Sequence, residues 1–134
     1  MYVLDTNVCV RLMTGTSSVL VRRVREHRPA AFRMCSVVKA ELAYGARKSA
    51  HVAENLKRVE RFCAPFRSLP FDDASAAHYG SIRCELERAG TPIGANDMMI
   101  AAIARSRDLT LVTADTREFH RVVGLRVEDW ERPE

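Results

Sequence analysis

The sequence lacks the motifs of several common enzyme classes. It has no G-x-G-x-x-G or G-x-x-x-x-G-K segment, so we expect neither of the glycine-rich turns that bind nucleotide phosphates. It has no nucleophile elbow, which argues against Ser-His-Asp hydrolysis. The few histidines show no metal-ligand spacing, and we expect surface or core positions for His27, His51, His78 and His120.

Long apolar runs and paired cysteines are also absent. No run approaches the ~20 residues needed to span a membrane, and the N-terminus does not have the basic flank, apolar core and cleavage site of a signal peptide. The cysteines form no C-x-x-C pair, so we expect reduced thiols in or near the core at Cys9, Cys35, Cys63 and Cys84. A disulfide or a metal site is the alternative interpretation. Together these absences predict a cytosolic protein.

The composition is that of an ordinary globular domain. The chain has 134 residues, of which 47% are hydrophobic and 28% charged, and we predict a single domain over residues 1–134. The net charge is +4, and most basic residues are arginine. An arginine excess suits phosphate-rich or acidic partners.

Apolar stretches of strand and helix type alternate along the chain. Strands are predicted at 2–4, 31–35, 67–71, 109–113 and 126–127. Helices are predicted at 8–13, from Ser17 or Ser18 to His27, at 37–48, 50–66, from Asp72 or Asp73 to Arg88, at 97–107, and in one turn around Glu118. Thr6 or Asn7, Ser36 and Asn96 are predicted helix caps. Without hairpin signals, this alternation predicts an α/β fold with a mostly parallel sheet flanked by helices.

Four acidic residues lie where the local pattern gives them no basic partner. Asp5 and Asp115 end apolar strands, whereas Asp97 begins a helix that is apolar all round. Glu41 has only uncharged neighbours three and four residues away on its helix. A carboxylate on such a face points to the core or its rim, where an unpaired charge is costly.

These acids are predicted to share one site. In a parallel sheet the strand ends and the helix starts that follow them lie at one edge, so the four side chains can converge there. Clustered carboxylates repel, and a hard divalent cation, Mg²⁺ or Mn²⁺, relieves that repulsion. Such a site activates water for in-line attack at phosphorus. Further side chains are placed to orient ligands or water, namely Thr6, Asn7, Asn96 and Thr113.

Other interpretations remain open at this stage. Each acid could have a private hydrogen bond, with Asp5 and Asp115 as caps, Asp97 as a first-turn acid and Glu41 as a rim charge. The acidic groove could also belong to a non-catalytic module that binds a basic peptide without metal, which EDTA would not affect. A DNA nuclease of the same fold is a third option, because water attack does not need the ribose 2′-hydroxyl.

Four ordered segments resemble the PIN-domain toxins of VapC type. They are residues 2–7 (YVLDTN), 40–46 (AELAYGA), 92–97 (PIGAND) and 111–119 (LVTADTREF), and the tail at 123–130 (VGLRVEDW) is similar as well. The resemblance covers essentially the whole chain. It implies a three-layer PIN fold and a Mg²⁺- or Mn²⁺-dependent endoribonuclease, the toxin of a type II toxin–antitoxin pair.

The resemblance also implies roles for individual residues and partners. Asp5, Glu41 and Asp97 match the family's three acidic metal-site positions, Asp115 matches a more variable fourth, and Thr113 matches the hydroxyl residue that often precedes it. Residues 33–36 (RMCS) and 117–119 (REF) resemble an enterobacterial branch that cleaves initiator tRNA at the anticodon loop. Family members form homodimers and are silenced by a cognate antitoxin whose C-terminal segment occupies the acidic groove.

Overall fold

A five-stranded parallel sheet forms the centre of the protein. The computed structural model describes residues 1–132. The strands are β1 (Tyr2–Leu4), β2 (Phe32–Cys35), β3 (Arg67–Leu69), β4 (Thr110–Val112) and β5 (Val127–Glu128). They are arranged in the order β3-β2-β1-β4-β5, and every neighbouring pair is parallel. The predicted fold class is confirmed.

Seven α-helices connect and flank these strands within the described residues. They are α1 (Thr6–Thr14), α2 (Ser18–Arg25), α3 (Ser36–Arg47), α4 (Val52–Cys63), α5 (Asp73–Ala89), α6 (Ala95–Ser106) and α7 (Thr116–Phe119), with a short 3₁₀ turn at Pro29–Ala31. Helix α6 packs against α5, and α3 packs against α4. The side chains of Ile100 to Ala104 are fully buried, as the uniformly apolar sequence of α6 predicts.

The register of the two central strands determines which residues meet at the carboxyl edge of the sheet. Leu4 of β1 lies opposite Val112 of β4. The next residues, Asp5 and Thr113, therefore leave the sheet side by side. The Asp5 N–H extends the pairing by donating to the carbonyl oxygen of Val112 at 3.0 Å. All of these positions are buried, so this edge is a fixed part of the core.

Three predicted helix caps were wrong by one or two residues. Asp5 caps α1 instead of Thr6 or Asn7. Helix α3 begins at Ser36 itself, so Cys35 occupies its cap position. The Ser36 hydroxyl donates to the carbonyl oxygen of Leu69.

The third correction concerns α6, where Gly94 precedes the helix and Asn96 lies inside its first turn. By contrast, Ser17 and Asp72 do cap α2 and α5, with side chains that accept backbone N–H groups.

Several predicted elements are shorter in the structure or are shifted by one residue. Helix α4 spans Val52–Cys63, inside the predicted 50–66, because the chain turns at 64–66 before entering β3. Strand β3 ends at Leu69 since the following residue is Pro70, which has no N–H for further pairing. Strand β5 begins one residue later than predicted.

The cysteines are free thiols. Cys9, Cys35 and Cys63 are buried, as predicted, but Cys84 is exposed on α5, so the expectation of a core position was wrong for that residue. Burial raises the pKa of the Cys9 and Cys35 thiols, which keeps them protonated. In residues 1–132 no helix is both long and apolar enough to cross a membrane. The single-domain prediction extends to residues 133 and 134, which lie outside the described part of the chain.

Candidate active site

Asp5 lies at the centre of the carboxyl edge and is held by two donors. Its side chain is 7% exposed. Oδ1 accepts the Thr6 N–H at 2.8 Å, and Oδ2 accepts the Thr113 hydroxyl at 2.7 Å. A carboxylate has about four acceptor sites, so one cap bond and one hydroxyl bond leave lone pairs free. Asp5 is therefore a helix cap with remaining capacity to bind a ligand.

Thr113 connects Asp5 to the following loop. Its hydroxyl donates to Asp5 and accepts the Asp115 N–H at 3.0 Å. Thr113 is 1% exposed and Asp5 is also buried, so the bond between them is shielded from water. The hydroxyl thus fixes the orientation of the Asp5 carboxylate and the start of the loop that carries Asp115.

Thr6 performs a similar task for Glu41. The Thr6 N–H binds Asp5, and its hydroxyl donates to Glu41 Oε1 at 2.9 Å. Glu41 is half-buried on α3, one and a half turns from the start of that helix. One threonine therefore connects two of the predicted acids, which are 36 positions apart in the sequence.

A second group of carboxylates faces the first. One carboxylate oxygen from each of Asp97, Asp115 and Glu118 lies within 4.8 Å of the other two. Asp97 is in the first turn of α6, and Asp115 immediately precedes α7. Asp115 makes no side-chain cap bond, so the interpretation of that residue as a simple cap is wrong.

Sequence reasoning missed Glu118. It assigned a turn of helix to this position but gave the carboxylate no role. The available signal was its spacing from Asp115, because residues three apart on a helix share a face. The one-turn helix α7 uses that spacing to direct Glu118 toward Asp97.

The electrostatics show that these acids form one cluster. Burial, together with the negative charges of Asp5, Glu118, Glu41 and Asp115, raises the pKa of Asp97 to about 7. Burial also raises the pKa of Asp5, with contributions from Glu41 and Asp115, while the bonds from Thr113 and Thr6 oppose that rise. Within residues 1–132, none of the five acids forms an ion pair with a basic side chain.

Two of the side chains that were predicted to orient ligands or water, unlike Thr6 and Thr113, make no hydrogen bond to an acid. Asn7 and Asn96 are exposed, and neither amide makes a hydrogen bond within the described part of the chain. Asn96 lines a cleft together with Thr6 and Glu41, whereas Asn7 does not. No histidine belongs to the carboxylate group; His27, for example, stacks on Trp130 with ring centroids 4.9 Å apart.

Comparison with known proteins agrees with this geometry. The model of the PIN domain family matches residues 2–125, a range that includes all five acids. The chain belongs to the PIN-domain family. Within it, the chain is 44% identical to the tRNA(fMet)-specific endonuclease VapC of Shigella flexneri, over 96% of this chain and 97% of the relative.

The structure of this PIN domain is also similar to solved VapBC structures. It is similar to the DNA-bound VapBC structure from Salmonella typhimurium, with a TM-score of 0.90, 40% identity, and coverage of 96% of this chain and 97% of that one. The VapBC2 structure from Rickettsia felis, bound to a promoter DNA fragment, gives a TM-score of 0.88 at 32% identity and covers 96% and 98%. The VapC resemblance predicted from four ordered segments is confirmed.

Proposed function

We propose that this PIN domain is the toxin of a VapBC toxin–antitoxin pair and acts as a metal-dependent endoribonuclease. The observation that carries the proposal is the convergence of five carboxylates, without a basic partner among residues 1–132, at the carboxyl edge of a parallel sheet. A purely structural group of acids would be expected to include cations that neutralise it. The name of the Shigella relative, a tRNA(fMet)-specific endonuclease, supports the same activity.

The donor set suits a hard divalent cation. All the converging ligand atoms are carboxylate or hydroxyl oxygens, which Mg²⁺ and Mn²⁺ prefer to nitrogen or sulfur. Burial and the charges of four neighbouring acids both raise the pKa of Asp97, so the cluster is unfavourable as five bare anions. We assign Asp5, Glu41, Asp97 and Asp115 as the residues that would hold the cation, with Glu118 as a further acid. When bound, Mg²⁺ or Mn²⁺ would lower the pKa of a coordinated water and stabilise charge on the phosphate.

The residues of the chain have separate tasks in this proposal. Thr113 and Thr6 hold Asp5 and Glu41 in one orientation, so that little reorganisation is needed when RNA binds. Asp115 is exposed and Glu118 is half-buried, so this side of the cluster is open to substrate and water. A Cβ atom added at Gly94 would lie 3.9 Å from Asp97 Oδ2, so the loop before α6 passes close to this carboxylate.

The reaction is hydrolysis of a phosphodiester bond. A water oxygen bonds to phosphorus, the bond from phosphorus to the 3′-oxygen breaks, and that oxygen takes a proton. The products are a 5′-phosphate and a 3′-hydroxyl. The ribose 2′-hydroxyl is not the nucleophile, so 2′,3′-cyclic phosphate ends are not formed.

We further propose initiator tRNA, cleaved in its anticodon loop, as the substrate. The name of the Shigella relative, a tRNA(fMet)-specific endonuclease, supports initiator tRNA. The anticodon loop is implied by the resemblance of residues 33–36 and 117–119 to the enterobacterial branch. The partner is a cognate antitoxin that blocks the acidic groove, since the similar Salmonella and Rickettsia structures are VapBC structures. A homodimer is the proposed working form, as the resemblance to VapC toxins implies, and the cytoplasm is its proposed location because tRNA is found there.

The test uses protein purified free of antitoxin and incubated with total bacterial tRNA. Wild type, Asp97→Asn and Asp73→Asn are compared in Mg²⁺ with and without EDTA. Asp73 is a matched control, because it also lies in the first turn of a helix but outside the cluster. We expect discrete cuts with 5′-phosphate ends by wild type and Asp73→Asn only, all lost in EDTA. Cyclic phosphate ends, or full activity of Asp97→Asn, would refute the mechanism.

A further inference from the structure

Helix α3 presents an aromatic ring to solvent beside the carboxylate cluster. Tyr44 is 65% exposed, and it follows Glu41 by three residues, on the same side of the helix. Within residues 1–132 its ring packs against no other aromatic ring. A side chain this exposed contributes little to the core, so packing does not account for a large aromatic residue here.

Tyr44 lines a cleft that begins at the cluster. The cleft has a volume of about 610 Å³, within the usual range for small-molecule sites. Its walls include Thr6, Glu41, Tyr44, Lys48, Asn96 and Met99. Since Glu41 belongs to the carboxylate cluster and Thr6 donates to Asp5 and Glu41, a group bound in the cleft would lie next to the scissile phosphate.

Lys48 adds a positive charge at the far end of the same helix face. Its Nζ lies 5.1 Å from the centroid of the Tyr44 ring, over one face. Because Tyr44 is 65% exposed, the ring remains accessible to a stacking partner. Glu41 and Lys48 are seven residues apart, so their Cα atoms are separated by about 10 Å along the helix axis. An acid, a ring and a cation thus follow one another along α3, away from the cluster.

We propose that this cleft binds one unpaired base of the RNA substrate, stacked on Tyr44, while Lys48 contacts a phosphate of the same strand. Single-stranded RNA is commonly recognised through bases that stack on aromatic side chains, and lysine binds phosphate as a point charge. The inference rests on the proposed RNA substrate and adds a positioning site to it. Tyr44 would orient the strand and take no part in bond cleavage.

A binding experiment in an Asp97→Asn background tests the site without cleaving the RNA. The probe is a short single-stranded RNA with the anticodon-loop sequence of initiator tRNA, carrying 2-aminopurine at one position at a time. A parallel set carries an abasic nucleotide at the same positions. Tyr44→Ala, Tyr44→Phe and Lys48→Gln are compared with Lys57→Gln, an exposed lysine on α4 that does not line the cleft.

We expect Tyr44→Ala to weaken binding by about tenfold or more and to abolish quenching of 2-aminopurine at one position. Tyr44→Phe retains the ring and should bind like the parent. Abasic RNA at the quenched position should bind equally to the parent and to Tyr44→Ala. Lys48→Gln should weaken binding and reduce its salt dependence, whereas Lys57→Gln should not.

Two results would overturn the proposal: unchanged RNA affinity in Tyr44→Ala, or a loss of affinity that is the same with abasic RNA at every position. A Tyr44→Ala variant that binds RNA normally but loses antitoxin would assign the cleft to the partner protein instead. A different result would refute the ribonuclease proposal. Wild-type protein that quenches the probe through Tyr44 but cleaves no RNA in Mg²⁺ would refute the activity and retain the base site.

Discussion

Thr113 and Asp5 are 108 positions apart in the sequence, yet the Thr113 hydroxyl donates a 2.7 Å hydrogen bond to Asp5 Oδ2. Both side chains are almost completely buried. The bond joins the ends of the two central strands and holds the Asp5 carboxylate in a single orientation. It also lowers the pKa of Asp5 against the effect of burial, which helps to keep this carboxylate charged and able to bind a cation.

Thr113→Val should reduce cleavage activity by ~10–100-fold, because an outer hydrogen bond that orients a metal ligand is removed without a change in volume. The free energy of unfolding should fall by about 1–3 kcal/mol, since buried Asp5 loses one of its two donors. Urea unfolding and initial cleavage rates measure both effects. Thr113→Ser retains the hydroxyl, and a large loss of activity in that variant would contradict the proposed role of the bond.

Glu118→Gln should weaken Mg²⁺ binding by about tenfold while leaving the fold intact, because it removes a negative charge from the cluster but no packing. Isothermal titration calorimetry would measure the affinity. Glu54→Gln is the matched control, an exposed glutamate on α4 that does not belong to the cluster. If both variants bind Mg²⁺ like wild type, Glu118 is only a neighbour of the site.

Asp97→Asn should stabilise the metal-free protein at neutral pH. The pKa of Asp97 is raised from 3.8 to about 7 on folding, so the folded state retains a proton that the unfolded state releases. The contribution of this group to stability is therefore fully present below about pH 4 and is lost as the pH rises through about 7.

The side-chain amide of the Asp97→Asn variant is uncharged at every pH. We therefore expect the free energy of unfolding to rise by roughly 1–2 kcal/mol at pH 8 in EDTA. This gain is smaller than the full pKa shift implies, because solvent screens the charge of a half-buried group. Thermal melts at pH 8 and at pH 4 would measure it. A gain of equal size at both pH values would show that the effect is not electrostatic.

Mg²⁺ binding to the wild-type protein should release a proton. At about pH 6 the cluster holds a proton on Asp97, which must leave before that carboxylate can act as a ligand. Calorimetry in two buffers of different ionisation enthalpy should give about one proton released at pH 6 and fewer at pH 8.5. Binding that is independent of both buffer and pH would place the cation away from Asp97.

The residues that could be predicted from the sequence are those that break a local pattern. Asp5 and Asp115 end apolar strands, Asp97 begins an apolar helix, and Glu41 has no charged neighbour on its helix face. The strand register then brings these four positions to one edge, a consequence of parallel pairing that the alternation of strands and helices already indicates.

The features that could not be predicted depend on long-range partners. Thr6 was predicted as a possible cap and as a side chain that orients ligands, and Ser36 was predicted as a cap. Their acceptors, Glu41 and the Leu69 carbonyl oxygen, were not predicted. No local pattern contains those acceptors. Glu118 was missed because a one-turn helix is too short for a recognisable periodicity, and only the folded loop directs it to Asp97.

The strand order has a consequence for protein synthesis. Strand β1 emerges from the ribosome first, but it lies between β2 and β4, and β4 is made from residues more than 100 positions later. Until β4 and the residues after it have been translated and released, Asp5 lacks its Thr113 donor and the neighbouring acids Asp115 and Glu118. A partly translated chain therefore carries no complete carboxylate cluster. The site cannot be assembled on the ribosome before residues 110–118 have been released.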